Sequence, residues 1–145
     1  MHPRLLLAAS LLVLLVAGCA TAPVIEPPGT ATIRGSEDSS ALFDNFTAFI
    51  AAVDGQPVAA GRAGWNTPVE LKAGHRILTV EFKRGVFSAK AQLELQAVAH
   101  ASYQLKYATD AQLFGKNSFC DFWITDLATS QPLTGVVKAP VVKGG

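Results

Sequence analysis

Three side chains of this sequence have the chemistry of a nucleophile and its base. Cys120 is the only thiol in the body of the chain, and His75 and His100 are the histidines that could act on it. A cysteine nucleophile needs a lowered thiol pKa, an adjacent imidazole and a group that orients the imidazole. Alternation along the chain puts Cys120 on the same face as Phe122 and Ile124. We therefore predict a thiol that points into the core, and no catalytic residue.

Both histidines are predicted to be solvent-exposed loop residues. His75 follows the turn signal Ala73-Gly74, and His100 lies between two strand patterns. Two histidines with no nearby cysteine or paired carboxylate lack the ligand pattern of a zinc site. The chain also has no glycine-rich phosphate loop and no Gly-x-Ser-x-Gly elbow. We predict neither a metal site nor a bound cofactor.

The carboxylates leave an enzymatic alternative open. Asp121 and Asp126 flank Trp123, and Glu81 and Glu94 fall on the exposed faces of predicted strands. Two carboxylates that flank a glycosidic bond are the machinery of most glycosidases, but nothing marks one pair here as special. A small hydrolase, with a site assembled from a carboxylate pair, the histidines or the thiol, is therefore the alternative to a binding function.

Three aromatic residues are the candidates for a binding surface. Trp65 lies in a stretch rich in glycine and alanine, while Phe119 and Trp123 share the strand face opposite Cys120. An exposed aromatic stripe is typical of a surface that binds a glycan or a partner protein. The simpler interpretation, which we favour, is that this strand is central and covered on both sides.

Composition limits the classes to which this chain belongs. Its 145 residues are 50% hydrophobic and 16% charged, which suits one globular domain and excludes a disordered chain. Two cysteines are too few for a disulfide-stapled scaffold. A formal charge of +1 gives no reason to expect nucleic acid or another charged polymer as partner.

The N-terminus has the pattern of a targeting segment. His2 and Arg4 provide a short polar region, and Leu5 to Ala17 is apolar except for Ser10. These 13 residues are too few for a membrane-spanning helix, which needs about 20. Their number is typical of the apolar region of a signal peptide.

The end of this segment, Val16-Ala17-Gly18-Cys19, resembles the lipobox of bacterial lipoprotein precursors. In that class the small residues give a peptidase access to the backbone, and the cysteine thiol accepts a diacylglyceryl group. The resemblance implies cleavage before Cys19, lipidation of Cys19 and stable anchoring by several acyl chains. Ala20, rather than Asp, at the next position implies export to the outer membrane. The implied partner is therefore a bilayer, with the protein facing the periplasm.

The pattern of apolar residues divides the remainder into a tether, a strand-rich body and a tail. We expect a signal peptide at 1–18, a lipidated Pro-rich tether at 19–30, a β-sandwich domain at 31–137 and a flexible tail at 138–145. Removal of the signal peptide also removes Arg4. Eleven acidic residues then balance the remaining lysines and arginines, and the mature chain is neutral.

Period-two alternation predicts an all-β fold. Apolar and polar residues alternate strictly in Ile77 to Lys83, in Val86 to Val98 and from Ser102 to Tyr107. Helical neighbours are three and four apart, so this period belongs to strands with one buried face. Further strands are expected at Ala31–Arg34, Phe46–Val53, Pro68–Leu71, Ser118–Asp126 and Leu133–Val137, with Gly35–Ser40 as a polar break and a helical turn as an option near Ser40–Asn45. We predict a small antiparallel β-sandwich of seven or eight strands, or a small barrel.

One stretch is similar to PEGA-type modules, which are transthyretin-like or carboxypeptidase-regulatory-like sandwiches of bacterial envelope proteins. The similarity lies in Val53-Asp54-Gly55, Thr67 to Leu71, Ala73-Gly74-His75 and Leu78-Thr79-Val80. The segment Gln56 to Asn66 is an insertion relative to that pattern, and Gly85 is followed by Val86 instead of an aromatic residue. The resemblance implies a sandwich in the envelope without catalytic residues. Our sequence-based hypothesis is a non-enzymatic, lipid-anchored module whose partner is an envelope protein or a cell-wall glycan.

Overall fold

Two β-sheets packed face to face form the described part of this protein. The structure is a computed structural model, and it describes residues 29–39, 44–111 and 118–144. These residues contain strands, turns and loops but no helix. The predicted all-β sandwich is confirmed.

Eleven strands occur among the described residues: β1 Thr30–Arg34, β2 Ser36–Asp38, β3 Phe46–Val53, β4 Gln56–Pro57, β5 Val69–Lys72, β6 Gly74–Arg84, β7 Phe87–Ala97, β8 Ser102–Thr109, β9 Phe119–Asp126, β10 Val137–Pro140 and β11 Val142–Lys143. The five-stranded sheet has the order β10-β9-β8-β1-β5. The six-stranded sheet has the order β11-β7-β6-β3-β2, with β4 beside β3. All pairs are antiparallel except β1 with β8, which is parallel.

The β6–β7 hairpin is the longest regular pairing of the fold. Its register runs without interruption from Gly74 opposite Ala97 to Arg84 opposite Phe87. Leu78, Val80 and Phe82 on β6 are all 0% exposed, while their alternate neighbours are partly exposed. The predicted alternation is therefore confirmed in both strands, and it directs one face of the hairpin into the core.

The expected central strand at Phe46–Val53 is confirmed as β3. Thr47 to Ile50 are buried on both alternating sets, as expected for a strand covered on two sides. Asp54 and Gly55, with φ of 48° and 79°, then form the predicted tight turn. The Asp54 carboxylate accepts the Ile77 backbone N–H at 2.9 Å, and this bond lowers the pKa of Asp54.

The Gly35–Ser40 segment, expected as a polar break, contains the short strand β2. Gly35 is the point at which the chain leaves the five-stranded sheet for the six-stranded one. A Cβ at this position would lie 2.1 Å from the Ala48 carbonyl oxygen, so only glycine allows this close crossing. Pairing with β3, which local sequence does not encode, makes Ser36–Asp38 a strand.

Ala73-Gly74, expected as a hairpin turn, is another crossing between the sheets. β5 belongs to the five-stranded sheet and β6 to the six-stranded one. Gly74 has a φ of 106°, which an L side chain rarely adopts. His75 therefore lies in β6 and not in a turn, which corrects its expected position.

The region expected to fray, 138–145, contains β10 and β11. Ala139 is only 3% exposed and lies opposite Cys120 in the register of β10 with β9. The last strands therefore begin at Val137, whereas we expected one at Leu133–Val137. With the short strands β2, β4 and β11, this raises the number of strands above the expected seven or eight.

Some expectations concern residues outside the described part. The signal peptide, Cys19 and most of the Pro-rich tether lie at 1–28, and most of the optional helical turn lies at 40–43. Their predictions stay predictions.

Replacement of Phe82 tests the core. Phe82 is fully buried and its ring packs 5.4 Å from that of Tyr107 and 6.2 Å from that of Phe46, between centroids. We expect Phe82→Ala to lower the free energy of unfolding by about 3–5 kcal/mol, because it leaves a cavity. The measurement is urea unfolding followed by tryptophan fluorescence. Val86→Ala, at a residue 54% exposed, is the control and should change the unfolding free energy by less than about 0.5 kcal/mol.

Candidate functional site

Cys120 lies in the core, as predicted, and is remote from solvent. It is 0% exposed, as are Phe122 and Ile124 on the same face of β9. Burial, followed by the negative charge of Asp121, raises the pKa of the thiol to about 12. A nucleophilic cysteine requires a shift in the opposite direction. Its environment is that of a structural thiol.

The histidines do not approach this thiol. His75 is exposed on β6, and its Nε2 lies 3.1 Å from a carboxylate oxygen of Glu94 on β7. His100 is exposed in the β7–β8 loop with a φ of 67°. Sequence reasoning missed the His75–Glu94 pair. The pair could have been found by aligning the two strands of the long β6–β7 hairpin. In that register His75 lies opposite Gln96, two residues from Glu94 on the same face.

The carboxylates named in the sequence have separate partners. Glu81 lies 3.5 Å from Lys90 and 3.8 Å from Lys83. The Asp126 carboxylate accepts the backbone N–H of Ala128 at 2.7 Å and that of Thr129 at 3.2 Å, so it caps a turn. Among residues 29–39, 44–111 and 118–144, no three His, Cys, Asp or Glu side chains are grouped as a metal site requires. The same ranges hold no helix long and apolar enough to cross a membrane.

The outer face of β9 carries the strongest candidate site. Phe119, Asp121 and Trp123, which we call the outer stripe, alternate with the buried Cys120, Phe122 and Ile124 and are themselves half-buried. β9 is internal to its sheet, between β8 and β10. β9 is therefore a central strand, as we favoured from the sequence, and its outer face is partly covered, since these three side chains keep some contact with solvent.

Polar and basic residues of the neighbouring strands flank the outer stripe. Lys138 on β10 lies opposite Asp121, and its ammonium lies 4.5 Å from the centroid of the Phe119 ring. Lys106 on β8 lies opposite Trp123. Directly opposed residues have Cβ atoms about 5 Å apart. The aromatic rings thus lie among side chains that can donate hydrogen bonds.

Asp121 has an unsatisfied acceptor at the centre of the stripe. Its Oδ1 is buried and accepts no hydrogen bond from any described residue. A buried carboxylate oxygen without a donor is unfavourable by about 1–3 kcal/mol, and native structures contain few of them. An acceptor between two aromatic rings, with two lysines nearby, suits a ligand that brings its own donor and an apolar surface.

Trp65 lies apart from the outer stripe. Its loop is fixed by Arg62, whose guanidinium binds Asp44 at 3.0 Å and the Asn45 carbonyl at 2.8 Å, and by a 2.7 Å bond from the Gly35 N–H to the Trp65 carbonyl. Gly35 lies beside β8, two strands from β10, and no ring contact among the described residues joins Trp65 to Phe119 or Trp123. Of the three predicted binding residues, the structure brings together only Phe119 and Trp123.

The buried thiol has a consequence for stability at alkaline pH. The pKa of Cys120 rises from an ordinary 9.0 to about 12 on folding, so between these values unfolding releases a proton. Stability from this group is complete below about pH 9 and falls above it by at most about 1.4 kcal/mol per pH unit. We expect the stability advantage of wild type over Cys120→Ala to shrink as the pH rises from about 9 to about 12, as measured by urea unfolding. A constant difference would contradict burial of the thiol.

Comparison with known proteins identifies no relative of this chain. No family model, no curated protein and no solved structure matches this chain.

Proposed function

We propose that this protein is a lipid-anchored, non-enzymatic binding module of the bacterial cell envelope, and that its outer stripe holds a cell-wall glycan. One observation carries the proposal. The outer stripe places an acceptor without a donor, Asp121 Oδ1, between the half-buried rings of Phe119 and Trp123. The setting in the envelope rests on the resemblance of Val16-Ala17-Gly18-Cys19 to a lipobox and on the similarity to PEGA-type modules.

A glycan provides both the hydrogen-bond donors that the Asp121 oxygen lacks and an apolar face that can pack on the aromatic rings. Each sugar ring offers an apolar C–H face for stacking on Trp123 or Phe119. Its hydroxyl groups can donate to the Asp121 carboxylate when that side chain turns from its buried position toward the ligand. Lys106 and Lys138, opposite Trp123 and Asp121, can donate to ring and hydroxyl oxygens of the same sugar. A purely apolar partner would leave the carboxylate oxygen unsatisfied, and so would be bound less well.

Hydrolysis is the alternative, and it has less support. Cys120 is enclosed by the core, His75 is paired with Glu94 on the outer side of the other sheet, and His100 is in a loop. A hydrolase needs a nucleophile or water, a base and an acid within reach of one bond. Binding requires only the rings and polar groups that already lie side by side.

Replacement of Trp123 tests the binding surface. We expect Trp123→Ala to weaken binding of the protein to purified cell-wall sacculi by about fivefold or more, because truncation of an aromatic anchor removes more than about 1 kcal/mol of binding energy. The measurement is a pull-down titration with sacculi. Val86→Ala, an exposed aliphatic residue away from the stripe, should bind like wild type. Equal binding by the Trp123 variant, or retention of envelope proteins instead of glycan strands, would contradict the glycan assignment.

Replacement of Cys19 tests the anchor separately. We expect Cys19→Ala to abolish incorporation of radiolabelled fatty acid and to move the protein out of the membrane fraction, because the acyl chains provide the stable attachment. Cys120→Ala is a matched control, since it removes the other cysteine of the chain and should leave both readouts unchanged. Acylation that persists in Cys19→Ala would refute the lipoprotein assignment, but it would not contradict the proposal that the outer stripe binds a glycan.

A further inference from the structure

A groove runs along one open side of the sandwich. One wall is formed by β7 from Gln92 to its end and by Val98, and the other by the segment 133–137 that precedes and enters β10. Two adjoining clefts, of about 310 Å³ and 330 Å³, make up this space. We call it the β7 groove.

The walls of the β7 groove carry exposed aliphatic side chains among polar ones such as Gln96 and Thr134, and the backbone edge of β7 is unpaired among the described residues. Val98, Leu133 and Val136 are 60%, 48% and 63% exposed. β11 pairs with β7 only at Phe87 and Ser88, so among the described residues no strand pairs with the edge of β7 beyond Ser88. An uncovered strand edge beside exposed aliphatic side chains is a surface that takes an extended chain.

The described chain begins at one end of this groove. Gly29 lies against Ala99, since a Cβ on Gly29 would approach the Ala99 Cβ to 2.6 Å. The next residue, Thr30, accepts the His100 N–H through its carbonyl at 2.9 Å. Ala99 immediately follows Val98, the last groove residue of that wall. Gly29, the first described residue, therefore lies where the β7 groove opens.

Those residues carry an apolar pair that their role as a spacer does not explain. The stretch from Ala20 to Pro28 contains three prolines and small or polar residues, but also Val24-Ile25. Ile25 is four residue steps from Gly29, and an extended chain of that length reaches about 14 Å. The distance from Val98 back to Leu95 along β7 is about 10 Å. Val24 and Ile25 are thus within reach of the exposed aliphatic side chains of Val98 and Leu133 in the groove.

We propose that the β7 groove is the docking site of this chain's own segment 20–28, with Val24 and Ile25 seated between Val98 and Leu133. The prolines favour an extended backbone and cannot donate to a strand ladder, so the apolar side chains supply the contact. The segment is attached beside the groove, so its effective concentration there is in the millimolar range and a weak contact is sufficient. Docking holds the domain in one orientation relative to residue 19, and it does not depend on the acyl chains.

Disulfide cross-linking in the full-length chain tests this docking directly. Cys19→Ala removes the anchor site, and Cys120 remains buried. In that background Ile25→Cys is combined with Leu133→Cys, or, as the matched control, with Val86→Cys at the opposite end of β7. We expect the 25–133 disulfide to form at least tenfold faster than the 25–86 disulfide under mild oxidation, as read by peptide mass mapping. Equal rates would overturn the proposal.

A concentration series in the same experiment identifies the competing occupant. Linked dimers through residues 25 and 133, formed at a rate that rises with protein concentration, would mean that the groove takes a second copy, and would overturn docking within one chain. Because Cys19 is absent, neither result depends on lipidation. Failure of docking therefore stays distinguishable from failure of the anchor.

Hydrogen exchange provides a second readout without new cysteines. We expect the double variant Val24→Asp/Ile25→Asp to exchange the amides of the β7 edge, Gln92 to Ala97, about tenfold faster than wild type, because the covering segment is released. The variant Ala20→Asp/Thr21→Asp carries the same added charge outside the apolar pair and should exchange like wild type. Identical exchange in both double variants would also overturn the proposal.

Discussion

Burial of alternate side chains between the two sheets is the constraint on which the rest of the structure depends. On β9 it requires Cys120, Phe122 and Ile124, each 0% exposed, to face inward. Because successive side chains of a strand point to opposite faces, Phe119, Asp121 and Trp123 must lie on the outer face. A slip of one residue would bury the carboxylate and expose the thiol, so the register of the core and the position of the outer stripe are one property.

Within the described residues the chain passes between the sheets five times, and these crossings close most of the sandwich. Gly35 and Gly74 allow two of them, the first through close approach to Ala48 and the second through a positive φ. The last links β10 to β11 at Val141. Because β11 pairs with only two residues of β7, this last crossing covers one end of β7 and leaves the groove along the remainder.

Alternation made the long strands predictable, whereas the short ones depend on distant partners. β6, β7, β8 and β9 could be predicted because each carries its own apolar period. β2 is polar, and it is a strand because β3 offers a free edge and because Asp38 accepts the Tyr107 hydroxyl at 2.7 Å. The shared face of Phe119 and Trp123 was also predictable. The partial burial of the outer stripe was not, because Lys138 reaches Phe119 only through the pairing of β10 with β9.

The outer stripe and one wall of the β7 groove are connected through β9. Ile124 follows Trp123 directly, and its backbone carbonyl accepts the Leu133 N–H at 2.8 Å while its N–H donates to Thr134 Oγ1 at 3.0 Å. The segment 133–137 that forms one wall of the groove is therefore bonded to the strand that presents the stripe. Packed strands transmit displacement rather than absorb it. An occupant that moves this wall must strain or break the two bonds at Ile124, beside Trp123, so the two surfaces are mechanically linked.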